Sequence, residues 1–237
     1  ASQVSDKIKD LLYAKSSQRV DEYRPAVASG VFNSDNGPTQ PEVDASAEIE
    51  VETETRKREH IETVLNTNVT GKGIKTGFED FSFEHCAMPE LDLDGIDLTT
   101  SVFGKLLQAP ILISSMTGGV DHGGTINRRL AECAQALGLA MGLGSQRAGI
   151  EQSSLANTYK VRDVAPDILL FANLGAVQLN YGYGIDEARR AVDMIEANAL
   201  FIHLNPLQEA VQPEGDRNWS GILKKLENLI SRLDVPV

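Results

Sequence analysis

His203, Asn205, Gln208, Glu209, Gln212, Glu214, Asp216 and Arg217 crowd one stretch, Phe201-Ile-His-Leu-Asn-Pro-Leu-Gln-Glu-Ala-Val-Gln-Pro-Glu-Gly-Asp-Arg217. Imidazole, amide, carboxylate and guanidinium groups at this density suit proton transfer and the binding of a cation or a charged substrate. They follow an apolar run, Ala199 to Leu204, short enough for a buried strand and too short for a globular helix. A buried strand that releases polar groups at its C-terminal end is where α/β enzymes place their chemistry. His203 lies in the strand itself, where a polar ring without a partner is costly. The same residues admit a plainer reading. Asn205 can serve as N-cap, Pro206 as first helical residue, Gln208 as the closing member of a capping box, and Glu209 as complement to the helix dipole.

The elements that must position these groups repeat along the chain. Ile111-Leu-Ile-Ser-Ser runs into Met116-Thr-Gly-Gly119, and Leu139-Ala-Met-Gly-Leu runs into Gly144-Ser-Gln-Arg147. Ile168-Leu-Leu-Phe-Ala runs into Asn173-Leu-Gly175, and Ala199 to Leu204 runs into Asn205. Starts at 111, 139, 168 and 199 are 28, 29 and 31 residues apart, with helices expected near 124–137, 154–163, 185–197 and 218–232. Strand–helix units of this length mean a parallel sheet, with every polar strand end gathered on one face. Four units make half of a (β/α)8 barrel. A fifth strand is due at Asp234-Val-Pro-Val237, and the spacing alone leaves an open four-strand sheet as the alternative to half of a barrel. The stretch 78–107 is expected to cover the barrel bottom, with Phe78, Phe81 and Phe83 in the core. Asp92, Asp94 and Asp97 lack the pattern of a calcium loop.

Thr55-Arg-Lys-Arg-Glu-His-Ile61 is a basic cluster with a histidine at the start of helical spacing through Ile61 and Leu65. It reads either as a solvated helix start capped by Thr55 or as an anion-binding group, since Arg offers a fork and Lys a point charge to phosphate oxygens.

His-Leu-Asn-Pro-Leu-Gln-Glu followed by Gln-Pro-Glu-Gly-Asp-Arg resembles the signature of type 2 isopentenyl-diphosphate isomerases, flavin-dependent TIM-barrel enzymes of isoprenoid biosynthesis. Arg56-Lys-x-Glu-His-Ile61, Met116-Thr-Gly-Gly119, Gly144-Ser-Gln-Arg147 and Ala172-Asn-Leu-Gly175 are similar to further motifs of that family, in the same order. The resemblance covers about 55–237. It implies an α/β fold, the first four units of a TIM (β/α)8 barrel preceded by an N-terminal extension. It implies FMN and Mg²⁺ as cofactors, NADPH for flavin reduction, and a 1,3-proton shift between isopentenyl and dimethylallyl diphosphate.

Residue by residue, the resemblance places Met116, Thr117, Gly118, Ser145 and Asn173 at the flavin. It places Arg56, Lys57, His60, Arg147, Asn205 and Gln208 at the substrate. Gln208 and His203 become the catalytic candidates, and Glu209 the Mg²⁺ ligand. The family's later motifs, including the loops that grip the FMN phosphate, are not found in this sequence, so the chain by itself is expected to hold flavin weakly or to need a complementary second half. Two rivals stand beside this reading: an FMN-dependent TIM-barrel oxidoreductase, and an inactive fragment or assembly protein.

Composition narrows the partners. The 237 residues carry 34 acidic and 22 basic side chains, a net charge of −12, which disfavours nucleic acid and anionic membranes. An anionic substrate must therefore meet a local basic group. Hydrophobic residues at 41% suffice for one sizeable core. Cys86 and Cys133 show no metal-binding or disulfide spacing, which fits a reducing, cytoplasmic setting. No apolar run approaches the roughly 18 residues of a membrane span. The N-terminus lacks the apolar core of a signal peptide. Residues 1–54 read as an extension: helical spacing at Val4, Ile8, Leu11 and Leu12, a turn-rich linker at 33–41, and an acidic run from Glu42 to Glu54. A homo-oligomer or a complementary C-terminal half is the expected protein partner.

Overall fold

Alternation along the strands organises the molecule. In the computed structural model the residues described are Glu59, 61–71, 73–212 and 215–237. The chain divides into Ala1–Asp44 and Ala45–Val237, and every described residue lies in the second unit. The expectations for 1–58, and with them Arg56, Lys57 and His60, fall outside the described residues, as does Glu214.

Four parallel strands, β3 (Leu112–Ile113), β4 (Ala140–Gly142), β5 (Leu170–Gly175) and β6 (Ala199–His203), pair in sequence order. They start within two residues of the expected positions. The register sets Phe171 opposite Ala199, Asn173 opposite Phe201 and Gly175 opposite His203. On one face, Leu170, Ala172, Leu174 and Leu200 pack against the helical layer with Ala131, Ala134, Ala188, Ala191, Val192 and Ile195. On the other face, Phe171 and Phe201 stack with ring centroids 4.2 Å apart, and Leu169, Ala140 and Ala199 join them. Burying a Leu or Phe side chain contributes roughly 1.5–3 kcal/mol, so both faces count toward stability.

The helices follow from their apolar spacing. Helix α1 (Asp121–Leu137) buries Gly123, Asn127, Ala131 and Ala134, and ends on Gly138 in the left-handed region. Between β4 and β5 the chain forms a short α2 (Arg147–Glu151) and a 3₁₀ segment, Ser153–Tyr159, instead of the helix expected at 154–163. Ser153, Ser154, Asn157 and Thr158 explain the difference, because short polar side chains compete for backbone groups; the Thr158 hydroxyl donates to Leu155 O at 2.7 Å. Helix α3 (Ile185–Ile195) buries Ala188, Ala191, Val192 and Ile195, and the Glu187 carboxylate accepts from Gly184 N at 2.8 Å at its start. After β6 come α4 (Pro206–Val211) and α5 (Ile222–Arg232).

An antiparallel hairpin, β1 (Thr100–Val102) and β2 (Lys105–Leu107), covers the inner face beside the starts of the strands. Leu107 is buried there, and Phe103 meets Phe171 edge-on at 6.2 Å. This part of the expected bottom cover is present. The core role expected for Phe78, Phe81 and Phe83 is not: these rings are 81%, 80% and 102% exposed. Local turns hold that stretch, with Glu79 accepting from Gly77 N and Asp92 from Asp94 N, so no ladder carries the rings onto the sheet. Among the described residues the sheet does not close into a barrel. Along the outer edge of β6, Leu200 N donates to Pro236 O at 2.9 Å, and Val235 packs on the core, so the segment after α5 returns beside β6.

Candidate active site at the strand ends

Parallel pairing puts all four strand ends on one side, and hydrogen bonds link each loop to the next. After β3, the Thr117 carbonyl accepts from Gly144 N of the β4 loop at 2.9 Å. In the β4 loop, Gln146 N donates to Asn173 O of β5 at 2.9 Å. Asn173 Oδ1 lies 2.8 Å from His203 Nδ1 at the end of β6. Arg147 Nη1 donates to Asp216 Oδ2 at 3.0 Å, which ties the β4 loop to the segment after α4. Gln178 Nε2 reaches the same carboxylate oxygen at 3.3 Å.

The groups expected at a flavin have unequal freedom. The Thr117 hydroxyl is committed inside the protein, donating to Asn127 Oδ1 at 2.6 Å, while Asn127 Nδ2 donates to Thr117 O and Thr158 O. Gly118 has φ 144°, and a Cβ there would collide with the Tyr159 ring, so the close approach this glycine permits is to Tyr159. Burial drives the Tyr159 phenol well above its ordinary range, and its hydroxyl donates to Ser145 O at 2.8 Å. Met116 stands exposed, Ser145 is half-buried, and the Ser145 hydroxyl makes no hydrogen bond among the described residues. Asn173 is buried, and its Nδ2 carries no hydrogen bond among the described residues, which leaves a donor suited to a carbonyl oxygen.

At β6 the polar groups are tightly interlocked. Burial lowers the His203 pKa, opposed by the Glu209 charge. Gly175 has no side chain where a Cβ would strike Gln178 Oε1 and come within 3.1 Å of His203 Nε2. Asn205 and Pro206 begin α4 as the plainer sequence reading has it, but Asn205 does not cap: its Nδ2 donates to Glu209 Oε1 at 2.8 Å. Glu209 Oε2 accepts from Asp216 N at 2.9 Å. The carboxylate is thereby held at both oxygens, each with a lone pair to spare. Asn205 Oδ1 is buried without a partner among the described residues, an open acceptor beside this carboxylate. Gln208 is exposed on the first turn of α4.

Among the described residues no group of three His, Cys, Asp or Glu side chains could hold a metal ion. Glu209 with the Asn205 carbonyl oxygen gives a set of hard oxygen donors. That fits an ion which takes one or two protein oxygens and completes its shell with phosphate and water. Arg147 is kept charged: burial works to lower its pKa, but the bond and charge of Glu151 and the Asp216 charge outweigh it. Its Nη2 makes no hydrogen bond among the described residues and can meet an anion.

Sequence reasoning picked Asn173, which pairs with His203, and Asn205, Glu209 and Arg147, which are linked through Asp216. It passed over Gln146, Gln178 and Asp216 as linking residues. A lone glutamine within Ala176-Val-Gln-Leu179 was the available signal for Gln178. Cys86 and Cys133 are free thiols, and no described helix is long and apolar enough to cross a membrane.

No family model matches the chain. Over 182 residues, 77% of this chain and 52% of the relative, it is 66% identical to the isopentenyl-diphosphate delta-isomerase of Synechocystis sp.. It is 57% identical over 183 residues to the protein of that name from Stutzerimonas stutzeri, and 55% identical over 183 residues to that from Cronobacter sakazakii; each match takes in 77% of this chain and 53% of the relative. Family-level identity to isopentenyl-diphosphate delta-isomerases thus extends over 77% of the chain, while the chain spans about half the length of these relatives.

Proposed function

We propose that these strand ends form part of the active site of an FMN-dependent, type 2 isopentenyl-diphosphate delta-isomerase. The enzyme interconverts isopentenyl and dimethylallyl diphosphate by a 1,3-proton shift. The observation that carries this reading is the Glu209 carboxylate, fixed by Asn205 and by Asp216 N, in a chain that is 66% identical over 182 residues to a protein of that name.

An unactivated alkene is a weak base, so its protonation needs an acid in a dry pocket and stabilisation of developing positive charge. Reduced FMN, when bound, supplies an electron-rich ring and an exchangeable proton, with no net redox change over the turnover. The chain's own groups bind and orient. With FMN bound, Asn173 Nδ2 would donate to the flavin, and the Met116–Gly119 loop and Ser145 would line its site. Glu209 would hold Mg²⁺, Arg147 would donate to phosphate oxygens, and His203 Nε2 and Asn205 Oδ1 would accept from the metal's water shell. Arg56, Lys57 and His60 supply the local positive charge that the acidic surface otherwise denies an anionic substrate. Gln208 stands beside the reacting carbons and takes part in moving the proton.

The test joins this chain to the remaining half of the Synechocystis relative and assays conversion of isopentenyl diphosphate with FMN, NADPH and Mg²⁺. Dimethylallyl diphosphate as product, with activity lost in Gln208→Ala, is the expected result. A folded graft that binds flavin yet forms no product would favour an FMN-dependent oxidoreductase.

A further inference from the structure

Gln146 is wholly buried in a loop that otherwise carries the polar candidates. The β4–β5 ladder ends with Gly142 opposite Phe171, followed by Leu143 N donating to Phe171 O at 3.2 Å. Beyond that point the β4 backbone turns away, and Asn173 loses its strand neighbour on that side. Gln146 replaces the missing rung. Its backbone N–H donates to Asn173 O at 2.9 Å, and its side-chain Oε1 accepts from Asn173 N at 3.0 Å. The other end of the amide, Nε2, donates to Ala191 O of α3 at 2.8 Å. One side chain thus pins strand, loop and helix together.

The consequence falls on His203. With β6 on its other side, Asn173 is held from both flanks, and its Oδ1 meets His203 Nδ1 at 2.8 Å. An amide oxygen only accepts, so Nδ1 carries the hydrogen, and the neutral ring presents Nε2 as an acceptor. We propose that Gln146 is a positioning residue: through Asn173 it fixes the tautomer of His203 and so decides that Nε2 accepts from the group bound at the strand ends. An amide of this length supplies both an acceptor for Asn173 N and a donor for Ala191 O and stays uncharged at every pH. A hydrocarbon would leave both backbone groups unpaired in a buried place. The inference rests on the proposed function for the location of the site alone, because the tautomer exists whatever reaction occurs there.

The test is nitrogen-15 NMR of the imidazoles in the full chain, with His203 assigned by His203→Gln, and amide exchange followed at Asn173. Native chain should show His203 protonated at Nδ1, and Gln146→Met should convert this to a mixture of tautomers and speed exchange at Asn173 roughly tenfold. A native ring protonated at Nε2, or an unchanged His203 signature in Gln146→Met, would overturn the proposal. If Gln146→Met does not fold, Gln146→Glu decides. A neutral carboxyl can accept from Asn173 N and donate to Ala191 O, and the partners Asn173, Ala191 and Met194 are uncharged. Burial raises the pKa of such a carboxyl above its unfolded value. The variant's Tm should therefore match the native chain at low pH and fall behind as pH rises. A gap independent of pH would contradict it. Turnover enters none of these readouts, so failure here is separable from failure of the isomerase assignment.

Discussion

Asn205 Nδ2 lies 2.8 Å from Glu209 Oε1, so the residue that opens α4 holds a carboxylate one turn further on and leaves the helix end uncapped. Giving up a cap costs about 1 kcal/mol, which a site residue can repay in function. Glu209→Gln should raise the Mg²⁺ concentration needed for half-maximal activity by roughly tenfold or more, with flavin binding intact. Asn205→Ala should do the same more weakly. An unchanged Mg²⁺ titration in Glu209→Gln would remove that residue from the metal site.

Gly118 gives a second prediction, because its missing side chain makes room for Tyr159. Gly118→Ala should destabilise the flavin-free chain by about 1–3 kcal/mol, through strain at a positive φ and through overpacking. Urea denaturation without FMN measures this. Equal stability combined with lost flavin binding would show that the glycine serves the cofactor instead.

His203 predicts a pH dependence of definite sign. Burial holds its folded pKa below the usual value of about 6.5, so the unfolded chain binds more protons as pH falls. Stability should be full above that pH and decline below it. His203→Gln should flatten this part of the Tm–pH curve. A native curve that rises on acidification through the same range would refute the assignment of a neutral, half-buried ring.

The four strands were legible because each is a short apolar run ending in glycine or asparagine, and parallel topology then requires their ends to gather. That is why Asn173, His203, Asn205 and Arg147 could be grouped in advance. Residues 153–159 were not legible as 3₁₀ structure, since their backbone competition plays out locally at Thr158. Nor was the exposure of Phe78, Phe81 and Phe83, because an apolar residue type does not specify whether a partner surface exists. Gln146 escaped notice for a different reason. Its importance lies in contacts with Asn173 and Ala191, distant in sequence, and spacing cannot report those.

The open sheet has a consequence for the chain as it stands. With Phe171 and Phe201 facing inward and the outer edge of β6 met, among the described residues, by Leu200 N donating to Pro236 O, flavin should bind weakly and the chain should tend to associate. Visible-spectrum titration with FMN, alongside light scattering, checks this. Tight one-to-one FMN retention by a homogeneous monomer would contradict it.

The most direct test of the central claim is to run the grafted enzyme on isopentenyl diphosphate in D₂O with reduced FMN and Mg²⁺. A 1,3-proton shift adds solvent hydrogen to the terminal alkene carbon and removes a proton from the carbon two positions away. The predicted result is deuterium in a methyl group of dimethylallyl diphosphate, with the flavin as reduced at the end as at the start. Flavin oxidised in step with substrate consumption, and no deuterated dimethylallyl product, would contradict the claim.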